Sequence, residues 1–337
     1  MDLQAGESQY SNRIQLHAAM MSCPVCLNPA TAPALTGTDL LFETTAKTFT
    51  LNSCAACRCL FLNPMPDTDE IAGFYPAQYW WSGSRPGLLK KLEAIYRRMA
   101  LRGHVSFITK AAANRRGLDL LDVGCGSASL LGLMKQRGFR VTGVDFSSEA
   151  AAVARTENGV QVVVGSLGEA AFPEKSFDIV TLFHVMEHVT NPRDVLKEVA
   201  RILKPDGSVI LQVPNIDSWQ FRMFGAKWYG LDIPRHVIDY SKDAMLRLLS
   251  DAGFTPHRIR HFNLRDNAPA LVSSLFPSLD PVSRAVRHRR NNVRESAPVA
   301  WSRHLAYLSL VVCSYPVAIL ESACGRGATV MIEARRK

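Results

Sequence analysis

Between residues 118 and 214, five short apolar runs alternate with helix-like stretches, and this alternation constrains the fold more than any other feature of the chain. The runs read LDLLDVG, VTGVDF, VQVVVGS, FDIVTLF and GSVILQVP. Short buried strands separated by helices are typical of βαβ units, in which the helices cover the faces of a parallel sheet. The sequence therefore predicts an α/β fold built on a parallel sheet.

A glycine-rich turn, GCGSAS, follows the first run and opens a helix-like stretch. Gly124 and Gly126 place no Cβ between the backbone and a bound molecule, and the first turn of a helix carries unpaired N–H groups. Asp145 ends the second run, where a carboxylate can accept hydrogen bonds from both hydroxyls of a ribose. Ligands of open parallel sheets bind beyond the carboxyl ends of the strands. These residues therefore predict a nucleoside-containing ligand.

Two residues favour a cationic nucleoside over a dinucleotide. The dinucleotide pattern GxGxxG has glycine at its sixth position, where this chain has Ser129. Asp122 stands two residues before the first glycine of the turn. Its carboxylate would repel a pyrophosphate and attract a positively charged ligand.

Four segments, in this order and spacing, resemble the class I S-adenosylmethionine-dependent methyltransferases: LLDVGCGSASLL, VTGVDFS, FDIVTLFHVMEHVTNP and RILKPDGSVILQVPN. The resemblance covers residues 105–263 and the final strand, and it implies a Rossmann-like seven-stranded methyltransferase sheet. It also implies S-adenosylmethionine (SAM) as cofactor, with the methionine part at residues 124–126, the ribose on Asp145 and the adenine against Phe146. The cofactor-binding residues expected at the strand ends are Asp122, Gly124, Cys125, Gly126, Asp145, Phe146, Ser166, Leu167 and Phe183. Ser166 stands where the family commonly has an aspartate.

Two histidines are candidates for the general base of a methyl transfer. The first is His184, because an unperturbed histidine titrates near neutral pH. His184, Glu187 and His188 are spaced i, i+3 and i+4, which would place them on one face of a helix. Two alternatives remain open for the trio: His188 satisfies backbone groups, or the three residues bind a divalent metal. A subset of quinone-ring O-methyltransferases has a metal-binding ExxEH motif here, and this chain has His184 in place of the first glutamate.

The second candidate, His236, lies in the segment WQFRMFGAKWYGLDIPRHVIDYS, residues 219–241, which follows the fifth run. This segment resembles part of a bacterial methyltransferase group whose genes often accompany polysaccharide and lipid-linked glycan synthesis. The resemblance implies that His236 faces the acceptor, with Trp228 and Tyr229 as walls that stack on its ring. The alternative is that these aromatic residues close the domain.

Two CxxC pairs near the start of the chain predict a structural zinc site. Cys23 and Cys26 form the first pair, and Cys54 and Cys57 form the second. Two hairpin knuckles that each offer two thiolates suit tetrahedral zinc, and the absence of an apolar signal-like run favours metal over disulfides. The module also resembles the N-terminal zinc-binding cap of sugar C-methyltransferases. Cys59 is a spare thiol that could substitute for one of the four.

The net charge of +9 is concentrated in two stretches. Residues 85–116 contain nine Arg and Lys, and residues 284–303 contain six Arg, each stretch with a single acidic residue. The second stretch precedes LAYLSLVVCSYPVAIL, residues 305–320, which carry no charge. A spanning helix needs about 20 apolar residues, and we expect Pro316 to interrupt this one. The stretch is therefore predicted to be either a buried lid helix or a helix at the membrane interface.

The predicted organisation comprises an N-terminal zinc-ribbon module (1–66), a basic helical connector (67–116), a SAM-binding domain (117–263), a helical insertion (264–326) and the final strand of the sheet (327–337). The preferred function is SAM-dependent O-methylation of a hydroxyl on a sugar or lipid-linked glycan. The alternatives are a quinone-like or other small aromatic acceptor, and a SAM-binding interaction module without turnover. We expect a cytoplasmic enzyme with peripheral contact to the inner face of the membrane through residues 284–320. Nucleic acid is not expected as a partner, because the fourth run leads into FHVM rather than an NPPY-type tetrad.

Overall fold

The computed structural model describes residues 22–75, 98–290 and 295–336 of the 337-residue chain. Residues 1–21 of the predicted zinc-ribbon module and residues 76–97 of the basic connector lie outside these described residues. The strands are β1 (Thr31–Thr38), β2 (Thr48–Cys54), β3 (Leu60–Leu62), β4 (Asp119–Val123), β5 (Arg140–Asp145), β6 (Val162–Val164), β7 (Phe177–Phe183), β8 (Leu203–Pro214), β9 (Ile238–Asp239), β10 (Phe254–Arg260) and β11 (Thr329–Arg336). The helices are α1 (Thr68–Gly73), α2 (Arg102–Ala111), α3 (Ser129–Lys135), α4 (Ser148–Asn158), α5 (Pro192–Ile202), α6 (Trp219–Phe224), α7 (Lys242–Asp251), α8 (Asn267–Leu275), α9 (Pro281–Arg290) and α10 (Ala297–Ala323).

The larger of two sheets has seven strands in the order β10-β11-β8-β7-β4-β5-β6. Strands β4 to β8 run parallel, and β11 pairs antiparallel with both β8 and β10. Helices α3, α4 and α5 connect successive parallel strands, as crossovers between parallel strands require. The predicted α/β fold with a Rossmann-like methyltransferase sheet is confirmed.

The central strands are buried because helices shield the sheet. Leu120 and Leu121 of β4 and Leu182 of β7 are fully buried, and such continuous apolar runs are typical of parallel strands covered on both faces. Val123 of β4 lies opposite both Val144 and Leu182. The residues that follow β4, β5 and β7 therefore meet at one edge of the sheet.

A four-stranded sheet, β1-β2-β3-β9, joins the N-terminal module to the domain that contains the seven-stranded sheet. Its last strand, β9, comes from the segment after β8 and pairs antiparallel with β3. Leu51 and Phe61 of the small sheet belong to the same buried apolar cluster as Leu182 and Leu211 of the large sheet. The predicted boundary at residue 66 therefore does not separate two hydrophobic cores.

A buried arginine provides a second connection between the module and the domain. The Arg235 side chain is 0% exposed. It donates hydrogen bonds of 2.7 and 3.0 Å to Asp39, and others to Asp232 and to the Phe74 carbonyl. Its guanidinium lies 4.4 Å from the centre of the Phe42 ring. Burial alone would raise the pKa of Asp39, but the hydrogen bond and charge of Arg235 outweigh it and lower that pKa to about 2. The pair is therefore ionised at neutral pH.

The predicted helical insertion consists of α8, α9 and α10, which lie between β10 and β11. The expectation that Pro316 interrupts the apolar stretch is wrong, because α10 continues through this residue. A proline in a helix deprives the carbonyl four residues earlier of its donor. That carbonyl belongs to Val312, which is 66% exposed, so the lost hydrogen bond does not fall in the core.

Replacing Asp39 with Ala should destabilise the fold, because buried Arg235 would lose one of its two carboxylate partners. Breaking a buried ion pair costs about 3–5 kcal/mol, which urea unfolding followed by tryptophan fluorescence can measure.

The stability of the wild-type protein should also depend on pH through this pair. Because the pKa of Asp39 is lowered, the contribution of the pair to the free energy of unfolding is present above the unfolded value of about 3.9 and is lost as pH falls toward 2.

Glu43→Ala is the matched control for this prediction. Glu43 lies in the same β1–β2 connection and pairs with Arg287 at 3.2 Å, but its side chain is 56% exposed. Exposed pairs contribute about 0–1 kcal/mol. Equal losses of stability in Asp39→Ala and Glu43→Ala would contradict the stabilising role of the buried pair.

Candidate active site and zinc module

The glycine turn and Asp145 form the floor of the expected cofactor site. Gly124 and Gly126 have φ values of +68° and +53°. The N–H of Gly126 donates to one Asp145 oxygen at 2.7 Å, and the N–H of Ser147 donates to the other at 2.9 Å. A Cβ on Gly126 would meet no atom within 4 Å, whereas one on Gly124 would lie 2.7 Å from Val185. The space over Gly126 is therefore open to a ligand, while Gly124 is required by the packing of the protein itself.

Asp122 lies buried near the end of β4 and accepts a hydrogen bond of 2.6 Å from Thr181. Burial raises the pKa of Asp122 to about 7, against the effect of the Thr181 hydrogen bond, and the charge of Asp145 adds to the rise. A positively charged ligand beside Asp122 would favour its ionised form. The charges at this edge thus fit a sulfonium cofactor and oppose a pyrophosphate.

The residues expected around the adenine differ in exposure. Phe146 is 76% exposed, directly after Asp145, which fits a ring that stacks on a bound base. The Ser166 hydroxyl accepts from the N–H of Glu169 at 3.2 Å, so its own hydrogen remains available to a ligand. Leu167 is 5% exposed and lies in the core. Only its backbone can contribute to an adenine site.

Cys125 and Phe183 face the protein rather than the open turn. A Cβ on Gly143 would lie 2.5 Å from the Cys125 sulfur, so this thiol packs against β5, and burial raises its pKa. The Phe183 ring packs edge to face on His104, with ring centres 4.6 Å apart. The two side chains support the walls of the site, and their contact with the cofactor stays a prediction.

His184, which follows β7, lies between two carboxylates. Its Nδ1 is 3.0 Å from Glu187 and its Nε2 is 3.4 Å from Asp266. Burial disfavours the protonated ring, but the charge and hydrogen bond of Asp266, followed by those of Glu187, outweigh it and raise the pKa of His184 to about 10. This shift favours the protonated imidazole at neutral pH, provided that the Gln212 amide, which lies 2.9 Å from the same Nε2, turns its oxygen toward the ring. A cation cannot accept a further proton, which disfavours the predicted role of His184 as general base.

His236 has the opposite charge state. Its Nδ1 is 2.9 Å from the Gly230 carbonyl, and because a carbonyl only accepts, Nδ1 carries the proton and Nε2 has a free lone pair. Within the described ranges, Nε2 makes no hydrogen bond. Burial lowers the pKa of His236 to about 4, so the ring is neutral near pH 7. Of the two predicted bases, His236 is the one able to take up a proton.

Glu187, His188 and His236 form a compact cluster beside His184. One potential ligand atom of each lies within 4.8 Å of the others, and the His188 and His236 rings meet edge to face at 4.7 Å. Oε2 of Glu187 is buried and has no hydrogen-bond partner among the described residues. The expected helix is a single 3-10 turn, Met186–His188. The candidate metal group thus contains Glu187, His188 and His236, whereas His184 contacts Glu187 at 3.0 Å but does not belong to that group.

Sequence patterns did not reveal three further residues at this site. The Tyr75 hydroxyl lies 2.8 Å from Nδ1 of His188, and Asp266 comes from the helical insertion. Asp239 lies 3.8 Å from Nδ1 of His236, and burial raises its pKa, which favours a neutral carboxyl. Tyr75 and Asp266 lie outside the quoted motifs and reach the site only through the fold, whereas Asp239 lies within residues 219–241 but was not singled out there.

Of the two aromatic residues expected beside His236, Trp228 does not line an open space. Trp228 is 2% exposed, and its ring packs edge to face against Phe221, with centres 5.7 Å apart. Its Nε1 donates to Gln220 at 3.5 Å. Trp228 therefore closes the domain, as the alternative interpretation of this segment stated.

Five thiols meet in the N-terminal module. The sulfurs of Cys23, Cys26, Cys54 and Cys57 all lie within 4.8 Å of one another. The Cys23–Cys57 and Cys26–Cys54 separations are both 3.5 Å, close to the value of about 3.8 Å that tetrahedral zinc with 2.3 Å bonds requires. The four cysteines therefore fit a structural zinc ion. Cys59 lies 3.4 Å from both Cys23 and Cys57 as a fifth thiol.

Protein purified without chelator should contain about one zinc ion per chain by elemental analysis, because a closed four-thiolate site binds zinc as part of folding. Cys54→Ser should lower the zinc content severalfold. Cys59→Ser is the matched control, since it removes a thiol from the same cluster but leaves the four-cysteine set intact. Zinc-free wild-type protein would contradict the zinc site, and equal losses in the two variants would contradict the choice of ligands.

Comparisons with known proteins agree with the geometry of the cofactor edge. A family model described as a methyltransferase domain matches residues 93–259. The ubiquinone biosynthesis O-methyltransferase of Pectobacterium atrosepticum is 33% identical over 211 residues, which cover 59% of this chain and 83% of that protein. The protein of the same name from Cronobacter sakazakii is 33% identical over 225 residues, which cover 64% of this chain and 90% of that protein. The chain belongs to the class I SAM-dependent methyltransferases and is an enzyme that uses SAM.

Among solved structures, a SAM-dependent methyltransferase from Archaeoglobus fulgidus aligns with a TM-score of 0.45 at 18% identity, over 72% of this chain and 94% of that one. The cysteine module and helices α8 to α10 lie outside the region that the family model matches. Strand β11 of the central sheet also lies outside that region.

Proposed function

We propose that this enzyme methylates a hydroxyl on a quinone-like aromatic ring, with His236 as the proton acceptor. The observation that carries the proposal is the state of His236, whose Nδ1 is held by the Gly230 carbonyl at 2.9 Å while Nε2 keeps a free lone pair. The names of the relatives at 33% identity support an aromatic acceptor. They favour it over the glycan hydroxyl that the sequence analysis preferred.

The strength of the base also favours an aromatic hydroxyl. A histidine with a pKa of about 4 is a weak proton acceptor. A phenolic hydroxyl ionises with a pKa of about 10, whereas water, to which an alcohol is comparable, ionises at about 15.7. Because proton transfer becomes harder as the two pKa values move apart, His236 fits the phenol better than the sugar.

The residues present account for the proton and for the cofactor. SAM, when bound, supplies an electrophilic methyl group on a sulfonium. Asp145 lies where it can bind the ribose, and the open turn at Gly126 leaves room for the methionine part. If the acceptor oxygen took the methyl group, the bond between methyl and sulfonium would break to leave a neutral thioether. The hydroxyl proton would then move to Nε2 of His236, where the negative charge of Glu187 would stabilise the imidazolium.

Methyl-labelled SAM tests the acceptor class. We expect label to enter a catechol such as 3,4-dihydroxybenzoate and not a methyl glucoside supplied at equal concentration, because only the phenol is acidic enough for the available base. The products can be separated by chromatography and counted. Label in the glucoside with none in the catechol would contradict the proposal and support the glycan alternative.

His236→Gln tests the base. Turnover should fall by about 10²–10⁴-fold, while the affinity for SAM, measured by calorimetry, should stay unchanged. His257→Gln is the control, because His257 is exposed on β10.

A strict requirement for added Mg²⁺ in the wild-type assay would contradict the proton-acceptor role, since Nε2 of His236 would then serve as a ligand in the cluster with Glu187 and His188.

A further inference from the structure

Helix α10 exposes a long apolar face. Residues 305–320 carry no charge and extend about 24 Å along the helix. Large apolar side chains that are at least 42% exposed on this helix are Val299, Trp301, Leu305, Leu308, Val312, Val317, Ile319 and Leu320. Soluble monomers rarely leave a continuous apolar patch of this kind in water. We therefore expect this face to be covered by a binding partner.

Only a narrow stripe of α10 packs on the protein. Tyr307, Val311 and Ala318 are buried and form a small apolar cluster with Ala268 and Val272 of α8. Within the described ranges, α10 is the one helix long and apolar enough to cross a membrane by length and composition, with a mean hydropathy of 1.6 and 22% of its apolar window buried. Because this stripe is attached to α8 and the chain returns directly to β11 in the central sheet, α10 lies along the protein surface.

The charges next to this face are strongly positive. Residues 281–304 contain six arginines and a single acidic residue, Glu295. Two arginines converge on that carboxylate, Arg303 at 2.7 Å and Arg284 at 3.5 Å, and a third, Arg287, pairs with Glu43 at 3.2 Å. These two carboxylates cannot neutralise six arginines, so an anionic partner is favoured beside the apolar face.

We propose that α10 docks on the surface of an anionic lipid bilayer, with its exposed face in the headgroup region. Apolar residues next to an arginine-rich segment and a tryptophan at the border are the features that hold a helix in the interface plane. A second copy of the chain is a poorer partner, because pairing two such helices would add another arginine-rich segment to the interface. The enzyme would thus meet an acceptor that is dissolved in the membrane. This last step rests on the proposed function, but the docking itself does not.

Flotation of the full-length protein with vesicles tests the docking. We expect the protein to float with vesicles of phosphatidylcholine and phosphatidylglycerol, to float far less with phosphatidylcholine alone, and to be released from anionic vesicles by 0.5 M salt, because salt screens charges at the surface. Val312→Glu should lower the bound fraction about tenfold or more. Ile259→Glu is the matched control, since Ile259 is an exposed apolar residue on β10, away from α10.

Two further measurements are needed to interpret the flotation result. Zinc content and circular dichroism must match the wild type in both variants, so that a folding defect is not mistaken for lost docking. A wild-type protein that ignores anionic vesicles would overturn the proposal. It would also be overturned if light scattering shows a dimer that Val312→Glu converts to a monomer, because α10 would then pair with a second copy. Methyl transfer to a soluble catechol is measured separately, so failure of the docking leaves the acceptor proposal standing.

Discussion

The buried contact between Arg235 and Asp39 is the interaction that holds the segment around His236 to the N-terminal module. Asp39 belongs to the N-terminal module, whereas Arg235 directly precedes His236 in the segment after β8. Neither charge can reach water, so each is stable only with its partner in place. The pairing of β3 with β9 holds the same segment from the other side. The zinc module is therefore a structural part of the site and not an appended ribbon.

This arrangement explains why two nearby histidines carry different charges. His184 is held between Asp266 and Glu187, and the two negative charges overcome the cost of burying an imidazolium. His236 is buried against the Gly230 carbonyl and near the Asp239 carboxyl, whose pKa is raised. Burial therefore decides the protonation state of His236 and keeps its ring neutral. The same residue type is thus a fixed cation in one place and a neutral base in the other. A site of this kind can hold a positive charge and still accept a proton at neutral pH.

Features formed by residues that are close in the sequence could be predicted. Contacts between residues that are far apart in the sequence could not. The glycine turn, Asp145 and the CxxC pairs are local patterns. The structure puts the turn and Asp145 at the carboxyl ends of β4 and β5 and brings the four thiols together, while the contacts of the turn and Asp145 with a cofactor stay predictions. The contact of His184 with Asp266 joins residues 82 positions apart, and that of Arg235 with Asp39 joins residues 196 positions apart. No spacing in the sequence signals either contact. The path of α10 through Pro316 was also missed, because the tolerance of a helix for proline depends on the exposure of the neighbouring carbonyl.

The central claim is that His184 and His236 have opposite protonation states at neutral pH, and long-range ¹H–¹⁵N NMR of labelled protein measures this directly. The signals can be assigned with His184→Gln and His236→Gln variants and followed from pH 5 to 9. The account predicts that His236 keeps a single proton on Nδ1 and that His184 keeps both ring protons over this whole range, because their pKa values are about 4 and about 10. A titration midpoint near the unperturbed value of about 6.5 for either ring would contradict the account.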